Sequence, residues 1–99
     1  MAFTQVITVT GADEQALHDH LAAWDSAQSG VAPGYLGARI LADETNPGRH
    51  IIEVDFSSEE EARRNNDRPD TKAWAEELQR LAGGEPEFAN LRQVCSTYR

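Results

Sequence analysis

The sequence predicts one α+β domain with the element order β-α-β-β-α-β. Three patterns support this order. Segments at residues 3–10, 35–42 and 50–56 are rich in β-branched, aliphatic or aromatic residues, as strands are. Two longer segments repeat apolar residues at helical spacing, and clusters of glycine and proline separate the segments.

The first strand is predicted over residues 3–10 and the first helix over about residues 13–28. Asp13 is a suitable N-cap for this helix, because its carboxylate can accept a hydrogen bond from a free backbone N–H. The buried face of the helix is expected to be a single apolar stripe of Leu17, Leu21 and Trp24.

The second and third strands flank an Asn-Pro-Gly turn and are predicted to form a hairpin. Regular alternation places Leu36 on the same face as Ala38 and Ile40, with Tyr35 and Arg39 on the opposite face. The hairpin also brings Arg39 opposite Glu53, which gives the charged residue in the middle of each strand a partner.

The second helix is predicted to stop and restart within "NNDRPD", residues 65–70. Ser57 or Ser58 can cap its first part, Asp67 can cap the restart, and Pro69 is tolerated in a first turn. The last strand is predicted over residues 88–98, with Cys95 as a small buried side chain.

This order is that of a ferredoxin-like fold, an antiparallel sheet with both helices on one face. The other sheet face would carry Tyr35, Leu41 and Ile51 and would be open to water in a monomer. A second copy of the chain is expected to cover it.

Composition limits the classes of partner. The chain has 99 residues, a net charge of −8 and scattered basic residues, so neither nucleic acid nor an anionic membrane is an expected partner. No signal peptide or membrane-spanning segment is evident, which favours the cytoplasm. One cysteine and three scattered histidines predict no metal site.

Two stretches carry a family resemblance. "PGYLGARIL" (33–41) leads into the second strand, and "SSEEEARRNNDRPDTKAW" (57–74) follows the aromatic end of the third strand. Together they resemble the antibiotic biosynthesis monooxygenase family over nearly the whole chain. The resemblance implies a dimeric α+β barrel that binds a small molecule in a cavity beside the helix break. Some members degrade haem, and others are cofactor-independent oxygenases.

The residues depart from two subtypes of that family. The haem-degrading pattern has a histidine ligand where Trp74 stands and a tryptophan where Asn65 stands. The quinone-forming pattern has asparagine and tryptophan where Ile52 and Phe56 stand. Haem is therefore not expected, and a metal-free, flavin-free oxygenase would need hydrogen-bond donors from other positions.

The candidate catalytic donors are Asn65, Asn66 and Trp74, and the candidate substrate contacts are Tyr35, Arg39, Phe56 and Ile52. Most also have a structural interpretation. The two asparagines suit a helix end, Trp74 suits the core, and Arg39 suits an ion pair with Glu53. Tyr35 suits either a dimer interface or a cavity mouth.

Two functions stay open on these grounds. The first is a cofactor-independent monooxygenase that acts on a small aromatic or enolisable substrate. The alternative is a non-catalytic dimeric α+β barrel that binds or carries a small apolar ligand, or that serves as an interaction module.

Overall fold

A computed structural model describes residues 2–28 and 30–98. Its helices and strands are, in chain order, β1 (Phe3–Thr10), α1 (Glu14–Gln28), β2 (Tyr35–Ala42), β3 (Arg49–Phe56), α2 (Glu59–Asn66), α3 (Pro69–Leu81) and β4 (Glu87–Arg92). The predicted ferredoxin-like order is confirmed, with the second helix divided in two.

The four strands form an antiparallel sheet in the order β2-β3-β1-β4. The β2–β3 register places Arg39 opposite Glu53, and Arg39 Nε lies 2.5 Å from Glu53 Oε1. The predicted cross-strand pair is therefore confirmed. It lies on the sheet face away from the helices, where the side chain of Arg39 is 62% exposed.

The alternation predicted for β2 is wrong at its first residues. The pairing with β3 shifts between Tyr35 and Gly37, so Leu36 is the extra residue of a β-bulge. The bulge turns Tyr35 inward against the core and leaves Leu36 64% exposed. Ala38 packs inward as predicted.

The core lies between the sheet and the three helices. β1 and β3 contribute the residues at its centre, and α1 and α3 cover them with Leu17, Trp24, Trp74 and Leu78. Among the least exposed large side chains are Phe56, Ile7, Leu17, Ile52 and Leu78. None of the helices in the described ranges is both long and apolar enough to span a bilayer.

The helix break follows the prediction except in its cap. Ser58 caps α2 by accepting a hydrogen bond from the Glu61 N–H, and α2 ends at Asn66. Arg68, not Asp67, is the N-cap residue of α3, and it gives no side-chain cap. Pro69 occupies the first turn, where its missing N–H costs no hydrogen bond.

The last strand is shorter than predicted. β4 ends at Arg92, which pairs with Phe3, the first residue of β1. Beyond that pair β1 offers no further strand residue, and one hydrogen bond from Gln93 N to Ala2 O ends the ladder. Residues 93–98 are exposed and irregular, so the prediction that Cys95 is buried is also wrong.

Candidate functional site

A groove between α1 and the edge strand β2 includes two of the candidate residues, Tyr35 and Arg39. Its volume is about 420 Å³. α1 contributes one wall and the inward-facing side of β2 contributes the other. The lining residues are His18, Leu21, Ala22, Asp25, Tyr35, Gly37, Ala38, Arg39 and Ile40.

Tyr35 and Asp25 form the central polar contact of this groove. The Tyr35 hydroxyl donates to Asp25 Oδ1 over 2.5 Å. Such a short O–H···O distance is typical of a charge-assisted hydrogen bond. Partial burial, and then the hydrogen bond to Asp25, raises the pKa of Tyr35, so the phenol stays protonated at physiological pH.

The turn before β2 holds Tyr35 in place. Gly34 has a φ of 83°, which side chains other than glycine rarely adopt. Its carbonyl accepts a 2.7 Å hydrogen bond from Ser57 N, which ties the turn to the start of α2. The Tyr35 ring then packs edge-on against Trp24, with ring centroids 5.1 Å apart, and against Phe56.

The indole N–H of Trp74 already has a protein partner. Trp74 Nε1 donates to the His20 carbonyl over 3.3 Å, and His20 Nε2 lies 2.9 Å from the Trp74 carbonyl. The two rings stack with centroids 5.0 Å apart and an interplanar angle of 4°. These contacts join α1 to α3. They also use the Trp74 N–H, which was a candidate donor for catalysis.

Trp24 and Gln28, one turn apart on α1, carry buried polar atoms without a partner. Neither Trp24 Nε1 nor Gln28 Oε1 has a hydrogen-bond partner among the described residues. The other end of the Gln28 amide donates from Nε2 to Asp70 Oδ2 over 2.9 Å. Gln28 is fully buried and Trp24 is 7% exposed. An unmade hydrogen bond at such a position is costly.

Asn65 and Asn66 do not face a common site. Asn65 is buried, and its Oδ1 accepts a hydrogen bond from Thr71 Oγ1 over 3.3 Å across the helix break. Asn66 is exposed and lines a separate groove with Phe3 and Arg92. Neighbours on a helix point in different directions, so the pair cannot supply two convergent donors.

The remaining candidates are also dispersed. Ile52 and Phe56 are each 1% exposed and belong to the core beneath the helices. Arg39 borders the α1–β2 groove, but its guanidinium pairs with Glu53 on the opposite sheet face. Of the predicted substrate contacts, Tyr35 alone presents a functional group to the groove.

The sequence interpretation missed Asp25, Trp24's free N–H and Gln28. One signal was present, because Gln28 continues the stripe of Leu17, Leu21 and Trp24 at helical spacing and so places an amide on a buried face. Within residues 2–28 and 30–98, no three His, Cys, Asp or Glu side chains are arranged to hold a metal ion.

Comparison with known proteins finds matches among solved structures. No protein-family model matches the chain, and no curated protein sequence matches it. SnoaB, a cofactor-independent oxygenase from Streptomyces nogalater, superposes with a TM-score of 0.78 at 16% identity, over 99% of this chain and 98% of SnoaB. The antibiotic biosynthesis monooxygenases share this fold.

Two further structures agree with this result. The ActVA-Orf6 monooxygenase of Streptomyces coelicolor, in complex with Nanaomycin D, gives a TM-score of 0.73 at 20% identity, over 99% of this chain and 92% of its own. A Deinococcus radiodurans protein provisionally named an antibiotic biosynthesis monooxygenase gives 0.74 at 14% identity, over 100% of this chain and 98% of its own. The resemblance predicted from the sequence is confirmed at the level of the fold.

Proposed function

We propose that this chain is a cofactor-independent monooxygenase whose aromatic or enolisable substrate binds in the α1–β2 groove. One observation carries the proposal. The groove holds a carboxylate, Asp25, that already accepts a phenolic hydrogen bond, from Tyr35 at 2.5 Å, beside the apolar side chains of Leu21 and Ile40. A carboxylate placed against an aromatic hydroxyl is suited to removing a proton from a phenol or an activated methylene.

The chemistry requires no bound metal or flavin in principle. A base removes one proton from an activated CH₂ group, and the carbanion passes an electron to O₂. The resulting radicals combine to a hydroperoxide once the proton returns, and loss of water leaves a ketone. In total, CH₂ and O₂ become C=O and H₂O. Asp25 would hold the proton, and Tyr35 would orient Asp25 before the substrate enters.

Two structural neighbours support this chemistry. SnoaB is described as a cofactor-independent oxygenase, and the ActVA-Orf6 monooxygenase was solved with Nanaomycin D bound. At these identities both comparisons concern the fold. The proposed roles of Asp25 and Tyr35 therefore depend on the geometry of this chain's own groove.

Oxygen consumption tests the proposal. The purified protein is incubated with anthrones, naphthols and quinols while dissolved oxygen and product are followed. We expect turnover with at least one compound and a loss of at least 100-fold in Asp25→Asn, since a positioned base contributes about that much. Asp19→Asn, an exposed carboxylate on the same helix outside the groove, is the matched control. Equal turnover in both variants would remove Asp25 from the mechanism.

The second candidate is a non-catalytic barrel that binds or carries a small apolar ligand. A specific observation favours it, because the Trp74 N–H and the side-chain amide oxygen of Asn65 are already used in contacts between helices. A compound that binds the wild-type protein and Asp25→Asn equally, without oxygen consumption, would support this candidate.

The homodimer and the cytoplasmic location also belong to the proposal. The sheet face away from the helices carries the exposed side chains of Leu36, Leu41 and Leu91. A second copy packed on this face would remove them from water, as the barrel implied by the resemblance requires. Sedimentation at micromolar concentration measures the oligomeric state directly.

A further inference from the structure

The seam between α1 and α3 contains two complementary polar atoms that the proposed reaction does not use. Trp24 Nε1 is a donor only, and Gln28 Oε1 is an acceptor. Four residues separate them on one helix, a rise of about 6 Å, so both side chains leave the same face of α1. Each atom is buried and has no partner in the parts of the chain that the structure describes.

Contacts on α3 fix the direction of both side chains. Trp24 packs against Trp74, with ring centroids 5.7 Å apart, and Gln28 donates to Asp70. Asp70 and Trp74 are themselves one turn apart, so the two helices face each other in antiparallel register. The unpartnered N–H and C=O therefore belong to one seam, not to two unrelated places.

A hydroxyl group has the chemistry to satisfy both kinds of atom, a donor and an acceptor. A hydroxyl oxygen accepts from an indole N–H while its proton is donated to an amide oxygen, whereas an ether, a ketone or a methyl group can do only part of this. Water and a phenol share this chemistry. The surroundings of the Trp24 N–H are aromatic, since the rings of Tyr35, Trp24 and Trp74 lie in consecutive contact.

Tyr35 separates the α1–β2 groove from this seam. Its ring lines the groove on one side and meets the Trp24 ring edge-on on the other, while Trp24 itself does not line the groove. The Tyr35 hydroxyl is held by a single hydrogen bond, to Asp25 at the exposed surface. If the Tyr35 side chain rotated away from Asp25, Trp24 and Phe56, the edge of the Trp24 ring would face the groove.

We infer that Trp24 and Gln28 form a hydroxyl-binding subsite, which takes the phenolic hydroxyl of an aromatic ligand that enters when Tyr35 turns aside. The inference deepens the proposed function, because the ligand is the same aromatic substrate. It specifies a phenol, and it makes Trp24 and Gln28 determinants of specificity.

A matched pair of ligands tests the subsite without requiring turnover. 2-Naphthol and 2-methylnaphthalene have nearly the same shape and differ in the hydroxyl. Two hydrogen bonds should make 2-naphthol bind about 30-fold more tightly, and Trp24→Phe should reduce this preference to about 5-fold. Trp74→Phe is the control for the ratio of the two affinities, because it alters a ring that both ligands meet alike and an N–H that is already bonded to the His20 carbonyl, and it should keep the full preference.

Indole N–H resonances give a second readout in the unaltered protein. The sequence has two tryptophans, so a ¹H–¹⁵N spectrum shows two indole signals, and Trp24→Phe assigns them. We expect the Trp24 signal to move with 2-naphthol and to lose any cross-peak to water, while the Trp74 N–H keeps its hydrogen bond to the His20 carbonyl and its signal moves less. A Trp24 signal that keeps its water cross-peak in saturating 2-naphthol would assign the site to water alone and overturn the inference.

The outcomes separate this inference from the proposed function. Phenol-selective binding that depends on Trp24, without oxygen consumption, would keep the subsite and remove the oxygenase. Oxygen consumption that requires Asp25, with equal binding of both naphthalenes, would keep the oxygenase and overturn the subsite.

Discussion

Replacement of Gly34 by alanine should destabilise the protein far more than the same replacement at Gly30. Both glycines have positive φ, 83° and 76°, so alanine at either position meets a similar backbone penalty of about 1–2 kcal/mol, partly offset by a less flexible unfolded chain. Their surroundings differ. A Cβ at Gly34 would lie 2.6 Å from Glu61 Cβ and 2.8 Å from Ser57 Oγ, whereas a Cβ at Gly30 meets nothing within 4 Å.

The Ser57 hydroxyl can rotate, but Glu61 Cβ is fixed to α2 and can move only with the helix. Overpacking of this kind costs about 1–3 kcal/mol. We therefore expect Gly30→Ala to lower the free energy of unfolding by about 1 kcal/mol and Gly34→Ala by about 2–4 kcal/mol. Urea unfolding of both variants measures the difference. Equal losses would refute the claim that the turn is packed against α2 and holds Tyr35 in place.

Three other predictions concern the core, an acidic turn and the open sheet face. Leu78→Ala, at a fully buried position, should cost about 2–5 kcal/mol in urea unfolding, against less than about 0.5 kcal/mol for Val31→Ala in the exposed loop before β2. Asp43 accepts hydrogen bonds from Asn46 and Arg49, which hold its pKa well below the usual range. The Asp43 carboxylate therefore stabilises the folded state above the pKa of an unfolded aspartate, and this stabilisation is lost as pH falls. The free energy of unfolding should decline less between pH 6 and pH 3 in Asp43→Asn than in the wild type. Parallel declines would contradict this expectation. Leu41→Lys should shift sedimentation towards the monomer while Val31→Lys in the loop does not, and a monomeric wild type would remove the homodimer.

The sequence predicted the secondary structure well where the signals are local. β-Branched runs, the Asp13 cap and the Asn-Pro-Gly turn each act within a few residues, and the structure agrees at all three. The bulge at Leu36 was missed because regular alternation assumes an unbroken register. The end of β4 was missed because it is set by where its partner β1 begins, a long-range property.

The candidate site was harder to predict because it depends on which donors the protein leaves unused. Trp74 and Asn65 have the right chemistry, but the Trp74 N–H is bonded to the distant helix α1, and Asn65 is buried at the helix break with its amide oxygen bonded to Thr71. Only the folded chain shows that Trp24 keeps its N–H unpaired while Trp74 does not. Gln28 could have been noticed from the sequence as a polar residue on an apolar stripe.

The proposed function puts the polar part of the site on α1. The resemblance implied polar groups on the third strand, but this chain has Ile52 and Phe56 there, both deep in the apolar core. Beside the groove, α1 carries polar groups instead, at Asp25 in the groove and at Trp24 and Gln28 behind it. If the fold keeps its ligand between helices and sheet, recognition in this protein depends on α1. Substitutions on α1 should then change ligand selectivity, while conservative changes at Ile52 should change stability alone.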